Sequence, residues 1–303
     1  MRITLMHNPE AGKGNHGKSE LMAALKKAGH RAIYQSTKNK GYRKAFKRPT
    51  DLVLAAGGDG TVGRVGRELI DTGIPLAILP LGTANNLARN LGFTASVQKI
   101  VRGLRHGKKR VFDVGVASGP WGKRYFFESV GAGLLADYVH KANREDKKET
   151  KKLSKQQQMT RHVSLLCRML HRYRAKKWKI DIDKKDASDR YVLWEAMNIQ
   201  SVGPALYLAS QAATKDGFLD LVSVREEERS LLQTYLDDWL AGHRKKFPFR
   251  ISRCRKVKIV SKNSTLRLDG KIWPPKKRKR KRAYKIAITI QPSALVILQP
   301  AHC

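Results

Sequence analysis

The chain has 303 residues, more than one hydrophobic core usually serves, so two domains are expected. Sixty-two Lys and Arg against 25 Asp and Glu leave a net charge of +37, which points to polyanionic partners: phospholipid surfaces, nucleic acid or phosphorylated substrates. Cys167, Cys254 and Cys303 are too few and too scattered for a disulfide framework or a metal-ligand spacing, and no apolar run reaches the roughly 20 residues that span a bilayer.

In chain order, Arg2 to His7 is an apolar run that enters Asn8-Pro9-Glu10-Ala11-Gly12-Lys13-Gly14. Ser19 to Ala28 carries Leu21, Met22, Ala24 and Leu25 at helical spacing, and Gly29 closes it. A second apolar run, Asp51 to Ala56, enters Gly57-Gly58-Asp59-Gly60-Thr61, followed by a short helix over Val62–Asp71. A third, Ile74 to Leu79, enters Pro80-Leu81-Gly82-Thr83-Ala84-Asn85-Asn86, followed by a helix over Asn86–Leu91. Short apolar runs bounded by Gly and Pro read as buried parallel strands, and their alternation with helices predicts a doubly wound α/β sheet. In such a sheet the strands end on one edge, where ligands bind. Glycines let main-chain N–H groups approach an anion, and helix N-termini add their positive dipole ends. The three turns read as a nucleotide site.

Beyond about residue 112 the pattern changes to short strands: 110–117, 124–129, 178–183, 191–199, 205–209, 219–224, 257–261, 266–272, 283–290 and 295–298. That density predicts an antiparallel, β-sandwich-like second domain. Lys141 to Lys177 reads as a charged linker leading into a helix with the stripe Val163, Leu165, Leu166, Met169 and Leu170. Arg229 to Ala241 reads as another amphipathic helix.

Each motif also has a plainer reading. Gly57-Gly58-Asp59-Gly60-Thr61 can be a tight strand-to-helix turn. An aspartate on an anion-binding turn is unfavourable, however, unless a Mg²⁺ or a proton to be abstracted is near. Asn85 or Asn86 can simply cap the next helix, and a cap does not preclude an anion site, because both use the same helix end. Gly12-Lys13-Gly14-Asn15-His16-Gly17-Lys18-Ser19 matches the phosphate-loop pattern GxxxxGKS, but Asn8-Pro9-Glu10-Ala11 separates it from the strand end, which disfavours that reading. His7, at the end of a strand, reads as a packing residue.

Taken together, Asn8-Pro9-x-x-Gly12, Gly57-Gly58-Asp59-Gly60-Thr61 and Pro80-Leu81-Gly82-Thr83 resemble the diacylglycerol kinase catalytic family, which includes bacterial diacylglycerol kinases and sphingosine kinases. Asn198-Ile199 through Leu208-Ala209, Asp216-Gly217-Phe218-Leu219-Asp220 and the Asp-Gly element ending Val257–Gly270 resemble its second-domain signature. The resemblance implies a nucleotide-binding domain over 1–115, to which a strand at about 293–303 returns, and a lipid-substrate domain over 116–292. It implies ATP and Mg²⁺ as cofactors and phosphoryl transfer to a hydroxyl of diacylglycerol or a related lipid, which enters between the domains. It places Asn8, Pro9, Gly12, Lys13, Thr37, Gly57, Gly58, Asp59, Gly60, Thr61, Gly63, Gly82 and Thr83 around the nucleotide, with Asp59 catalytic. It places a structural Mg²⁺ on Asp216 with the main-chain carbonyls of Ala213 and Phe218; the plainer reading of Asp216-Gly217 is a hairpin turn.

One departure stands out. The family reads Asp-Gly-Glu where this chain has Asp269-Gly270-Lys271, and that glutamate is the family's general base. A lysine of ordinary pKa, about 10.4, is protonated at neutral pH and removes no proton. Three readings stay open: Asp59 suffices, because phosphoryl transfer needs positioning more than deprotonation; Lys271 clamps the transferring phosphate; or the chain binds nucleotide and membrane with impaired turnover. An NAD kinase-like enzyme is a further alternative. The basic run Lys276-Lys277-Arg278-Lys279-Arg280-Lys281-Arg282 fits docking to anionic headgroups, each cation contributing about 1 kcal/mol. The run from Lys147 to Lys155 extends it. The expected partners are therefore a lipid substrate and an anionic membrane surface, with no specific nucleic acid, because the basic runs lack interleaved aromatics. The expected location is cytoplasmic, peripheral to the inner face of the membrane, and a homodimer is compatible with the sequence.

Overall fold

The computed structural model describes residues 1–14, 16–142, 153–243, 245, 247–261, 265–273 and 283–301. The basic run 276–282 and residues 147–152 of the other lie outside these. The strands, in chain order, are β1 (Arg2–His7), β2 (Arg31–Ser36), β3 (Leu52–Gly57), β4 (Leu76–Pro80), β5 (Lys108–Gly119), β6 (Gly122–Phe126), β7 (Ser129–Gly133), β8 (Lys176–Ile182), β9 (Lys185–Asp186), β10 (Asp189–Met197), β11 (Ser201–Val202), β12 (Leu206–Tyr207), β13 (Leu219–Arg225), β14 (Ile251–Cys254), β15 (Lys256–Ser261), β16 (Leu266–Leu268), β17 (Lys271–Trp273) and β18 (Tyr284–Gln299). The helices are α1 (Lys18–Lys27), α2 (Asp59–Leu69), α3 (Asn86–Asn90), α4 (Val97–Gly103), α5 (Leu134–Ala142), α6 (Lys155–His171) and α7 (Arg229–Leu240). The chain divides into two units, 1–113 with 292–303, and 114–291.

In the first unit the strand order is β18-β4-β3-β1-β2, all parallel. Every residue of β3 is buried, as a central parallel strand covered on both faces requires. The register sets the strand ends level: His7 pairs with Ser36 and with Ala56, and Gly57 pairs with Pro80. The C-terminal residues of β18 belong to this sheet, with Ile297 beside Leu76. Asp71 N–H donates to the Ala294 carbonyl at 2.9 Å, and Ser293 N–H to Asp113 Oδ1 at 2.7 Å. Two helix starts differ from the sequence expectation. α2 begins at Asp59, three residues before Val62, so the acidic residue of the turn sits in the helix's first turn, where the dipole favours it. α1 begins at Lys18, behind an interposed 3₁₀ turn over Ala11–Gly14.

The second unit is antiparallel, as its many short strands predict. Its order runs β17-β16-β7-β10-β8-β15-β18, with β13 on β10 and β14 on β13. α5, α6 and α7 bury Leu134, Leu166, Leu170, Leu236 and Trp239 in one core with Leu193 and Val222 of the strands. A second core gathers Trp178, Ile180, Trp194, Val257, Ile259 and Ile286, with Trp178 and Trp194 edge to face at 5.4 Å. The expected strand 124–129 is broken between β6 and β7, because Phe127 and Glu128 give their N–H groups to Asp269 Oδ1 (2.9 and 2.8 Å) instead of to a ladder. The expected strand 205–209 shortens to β12.

Among the described residues of this unit, Arg267 and Glu195 form a buried charge pair. Arg267, 2% exposed, donates to both carboxylate oxygens of Glu195, 0% exposed, at 3.1 and 2.8 Å, and also to Ser129 Oγ and the Asp269 carbonyl. Gly131 makes room for it: a Cβ there would stand 2.3 Å from Glu195 Cδ. Burial pushes the Glu195 carboxyl up, against the pull of Arg267. Replacing Arg267 with Leu strands a buried carboxylate and is expected to cost about 3–5 kcal/mol; denaturant unfolding checks this. The double variant Glu195→Gln with Arg267→Met is expected to recover part of that loss, and failure to recover would show that the pair is not acting as a unit.

Candidate active site

The three glycine turns leave level strand ends of one parallel sheet and touch one another. Asn8 N–H donates to the Ala56 carbonyl (2.9 Å), tying the first turn to the end of β3, and Leu81 N–H donates to the Gly57 carbonyl (3.1 Å), tying the third turn to the second. A Cβ on Gly82 would lie 2.4 Å from Gly58 Cα, and one on Gly58 would lie 3.1 Å from Gly82 Cα. Gly12, at φ +65°, has the Leu81 carbonyl oxygen 2.7 Å from where its Cβ would be. Glycine is therefore demanded here by backbone-to-backbone approach. Gly60, by contrast, faces open space, and Gly63 is buried within α2.

Asp59 stitches the second turn to the third. Its Oδ1 accepts the Leu87 N–H at 2.9 Å, at the start of α3. Burial raises its carboxyl above the usual range, opposed by the amides of Leu87 and Asn86 and by the charge of Arg89. Asn85, at φ +50°, closes the third turn: Oδ1 accepts Gly82 N–H (2.9 Å) and Nδ2 donates to the carbonyls of Pro80 (3.1 Å) and Gly82 (2.9 Å). In the first turn, Asn8 Oδ1 accepts Glu10 N–H at 3.2 Å, a local Asx turn through Pro9. Lys13 lies in the 3₁₀ turn. Thr37 is buried, and its N–H and Oγ1 both donate to the His7 carbonyl (2.8 and 3.2 Å), while its own carbonyl accepts from Arg64. His7 is itself buried against Tyr34, its pKa lowered by burial and by His16. Thr61 is buried with its side chain over Gly57; Thr83 is half-buried.

The second unit holds the other sequence-predicted residues. Asp269, at φ +49°, receives Phe127 and Glu128 through its carboxylate and donates its own N–H to the Ser129 carbonyl (2.9 Å), so the turn carrying Gly270 and Lys271 is fixed to the start of β7. Lys271 is exposed at the head of β17. The Mg²⁺ expected at Asp216 meets a different arrangement. Oδ1 accepts the Phe218 N–H at 3.0 Å and Oδ2 accepts Arg253 Nη2 at 2.8 Å, so each oxygen already has one donor, and a divalent cation there would share the carboxylate with a guanidinium. Among the described residues no three His, Cys, Asp or Glu converge as metal ligands.

Residues 2–117 match the family model of the diacylglycerol kinase catalytic domain, and residues 132–299 match the YegS C-terminal NAD kinase beta sandwich-like domain. The chain belongs to the diacylglycerol kinase family. It is 26% identical over 284 residues to a diacylglycerol kinase of Bacillus subtilis (strain 168), covering 89% of each chain. It is 25% identical over 262 residues to one of Mycobacterium tuberculosis (strain ATCC 25618 / H37Rv), covering 85% of this chain and 80% of the other. A crystal structure of a diacylglycerol kinase from Bacillus anthracis (strain Sterne) shares the fold, with a TM-score of 0.70 at 19% identity over 99% of this chain and 97% of that one.

The glycines and Asp59 are legible in the sequence, but the residues that hold them are not. Asn85 reads in sequence as a cap, and Arg64 gives no signal, because its partner Thr37 is 27 residues away; Arg89 bonds Asn86 within α3. The close approach makes a sharp contrast testable. Gly82→Ala is expected to destabilise the protein by about 1–3 kcal/mol through overpacking. Gly60→Ala, in open space, is expected to be neutral or slightly stabilising. Denaturant midpoints of the two variants compare them directly; equal midpoints would contradict the packing of the turns.

Proposed function

We propose that this family member is an ATP-dependent lipid kinase that transfers the γ-phosphoryl group to a hydroxyl of diacylglycerol or a related lipid. The observation that carries this reading is the packing of three glycine turns at level strand ends, which brings their backbones and the N-terminus of α2 to one rim. That rim suits the phosphates of a nucleotide. The donor set there is chiefly backbone N–H with one carboxylate, Asp59. It fits Mg²⁺ arriving on the phosphates better than a protein cage, and the ion would neutralise charge on the transferring group. Asp59 holds the second and third turns in register and offers the negative charge that orients such an ion or an incoming hydroxyl. Its raised carboxyl pKa moves it toward the range of a general base. Lys271 stands where the family has glutamate, and an ammonium group there supplies positive charge where the glutamate would supply a base.

A membrane-surface location is part of the proposal. No helix among the described residues is long and apolar enough to cross a membrane. Support comes from the outer face of the second unit, where Lys179, Lys256, Lys258 and Lys285 line a trough of about 740 Å³ with Asp181 and Asp186. The alternation of β8, β15 and β18 turns these lysines outward while Ile180, Ile259 and Ile286 point to the core. The resulting surplus of positive charge complements an anionic leaflet.

The test is phosphoryl transfer from γ-labelled ATP to a mixed lipid extract, with NAD as a competing acceptor and product identification. Labelled lipid is expected, and Asp59→Ala is expected to lower transfer at least about 100-fold while costing about 1 kcal/mol of stability through the lost cap. Label appearing on NAD alone would refute the lipid assignment. For the membrane, neutralising Lys276 to Arg282 is expected to weaken vesicle binding only when anionic lipid is present. Unchanged partition would count against docking through that run.

A further inference from the structure

The turn that opens β13 contains a charge arrangement that the proposed activity does not use. Asp216 precedes Gly217, whose φ of +73° and open surroundings mark a turn position made for glycine. Asp220, four residues on, is 7% exposed and lies directly across the strand pair from Arg253. The two carboxylates feel each other: burial first, then the charge of Asp216, raises the Asp220 carboxyl, and Arg253 opposes both. Two guanidinium groups lie beside this turn. Arg253 Nη2 donates to Asp216 Oδ2 at 2.8 Å, and the Arg253 guanidinium lies 4.1 Å from the centre of the Phe218 ring, with that of Arg255 at 4.8 Å. The aromatic ring thus holds the cation beside Asp216.

We propose that Arg253 is the resident cation of this turn, supplied by the chain in place of a divalent metal, so that the entrance to β13 keeps its shape without Mg²⁺. A guanidinium is always charged and presents several fixed donors, so it satisfies a carboxylate without octahedral geometry. It is tethered to β14 and needs no free ion in solution. A Mg²⁺ ion would have to compete with it for the carboxylate, shed part of a tightly held hydration shell and sit beside the positive charges of Arg253 and Arg255.

The experiment uses the full chain with neither nucleotide nor lipid, so its outcome is independent of the kinase assay. Millimolar Mn²⁺ is added as a paramagnetic probe while the amide signals of Gly217 and Phe218 are followed, and thermal midpoints are recorded in EDTA and in Mg²⁺. The unaltered protein is expected to show no selective broadening at these amides and the same midpoint in both buffers. Arg253→Gln is expected to lower the midpoint by about 2–4 °C and to gain a Mg²⁺-dependent recovery that is lost on adding Asp216→Asn. Selective Mn²⁺ broadening in the unaltered protein, or a saturable Mg²⁺ rise in its midpoint that Asp216→Asn abolishes, would overturn the proposal. So would Arg253→Gln with an unchanged midpoint and no response to Mg²⁺. If Arg253→Gln does not fold, the broadening measurement on the unaltered protein decides alone.

Discussion

The approach of Gly58 to Gly82 is the constraint on which the first unit turns. Two backbones can come this close only where neither residue carries a Cβ, and their contact brings the second and third strand-to-helix turns onto one rim. The parallel register makes that contact available, because β3 and β4 end level at Gly57 and Pro80. Gly12 completes the set against the Leu81 carbonyl. A side chain at any of these three positions would push the turns apart.

Asp59 shows how one residue serves both the shape and the chemistry of that rim. Its carboxylate accepts an amide from the start of α3, a cap in trans that fixes the distance between turns. The same burial that makes the cap effective raises its carboxyl, a direction useful to a group that handles protons. In the second unit Asp269 plays the parallel structural part, drawing the Phe127 and Glu128 amides to the turn that ends in Lys271. In both units the acidic residue of an Asp-Gly element organises backbone before it does anything else.

The α/β-then-β architecture was legible in the sequence, because Gly and Pro punctuation and buried apolar runs are local signals. The diacylglycerol kinase motifs added the family. What the sequence hid depends on partners far along the chain. Arg267 sits in Leu-Arg-Leu, where alternation would turn it to solvent, yet it is buried because Glu195 and the missing side chain of Gly131 receive it. The break between β6 and β7 was invisible because Asp269 lies more than 140 residues away. Residues 283–290 and 295–298 read as two strands because Pro292 interrupts them, whereas β18 runs through, with Ser293 at φ +52°. Arg253 gave no sign of its bond to Asp216, 37 positions earlier.

The central claim is that the amides of the three packed turns receive the phosphates of a nucleotide. Amide chemical-shift mapping with a non-hydrolysable ATP analogue and Mg²⁺ addresses it residue by residue. The account predicts that Gly12, Gly57, Gly58, Gly60 and Gly82 shift together and saturate along a single binding curve. Saturable binding that leaves these amides unmoved, or no binding at all, would contradict it.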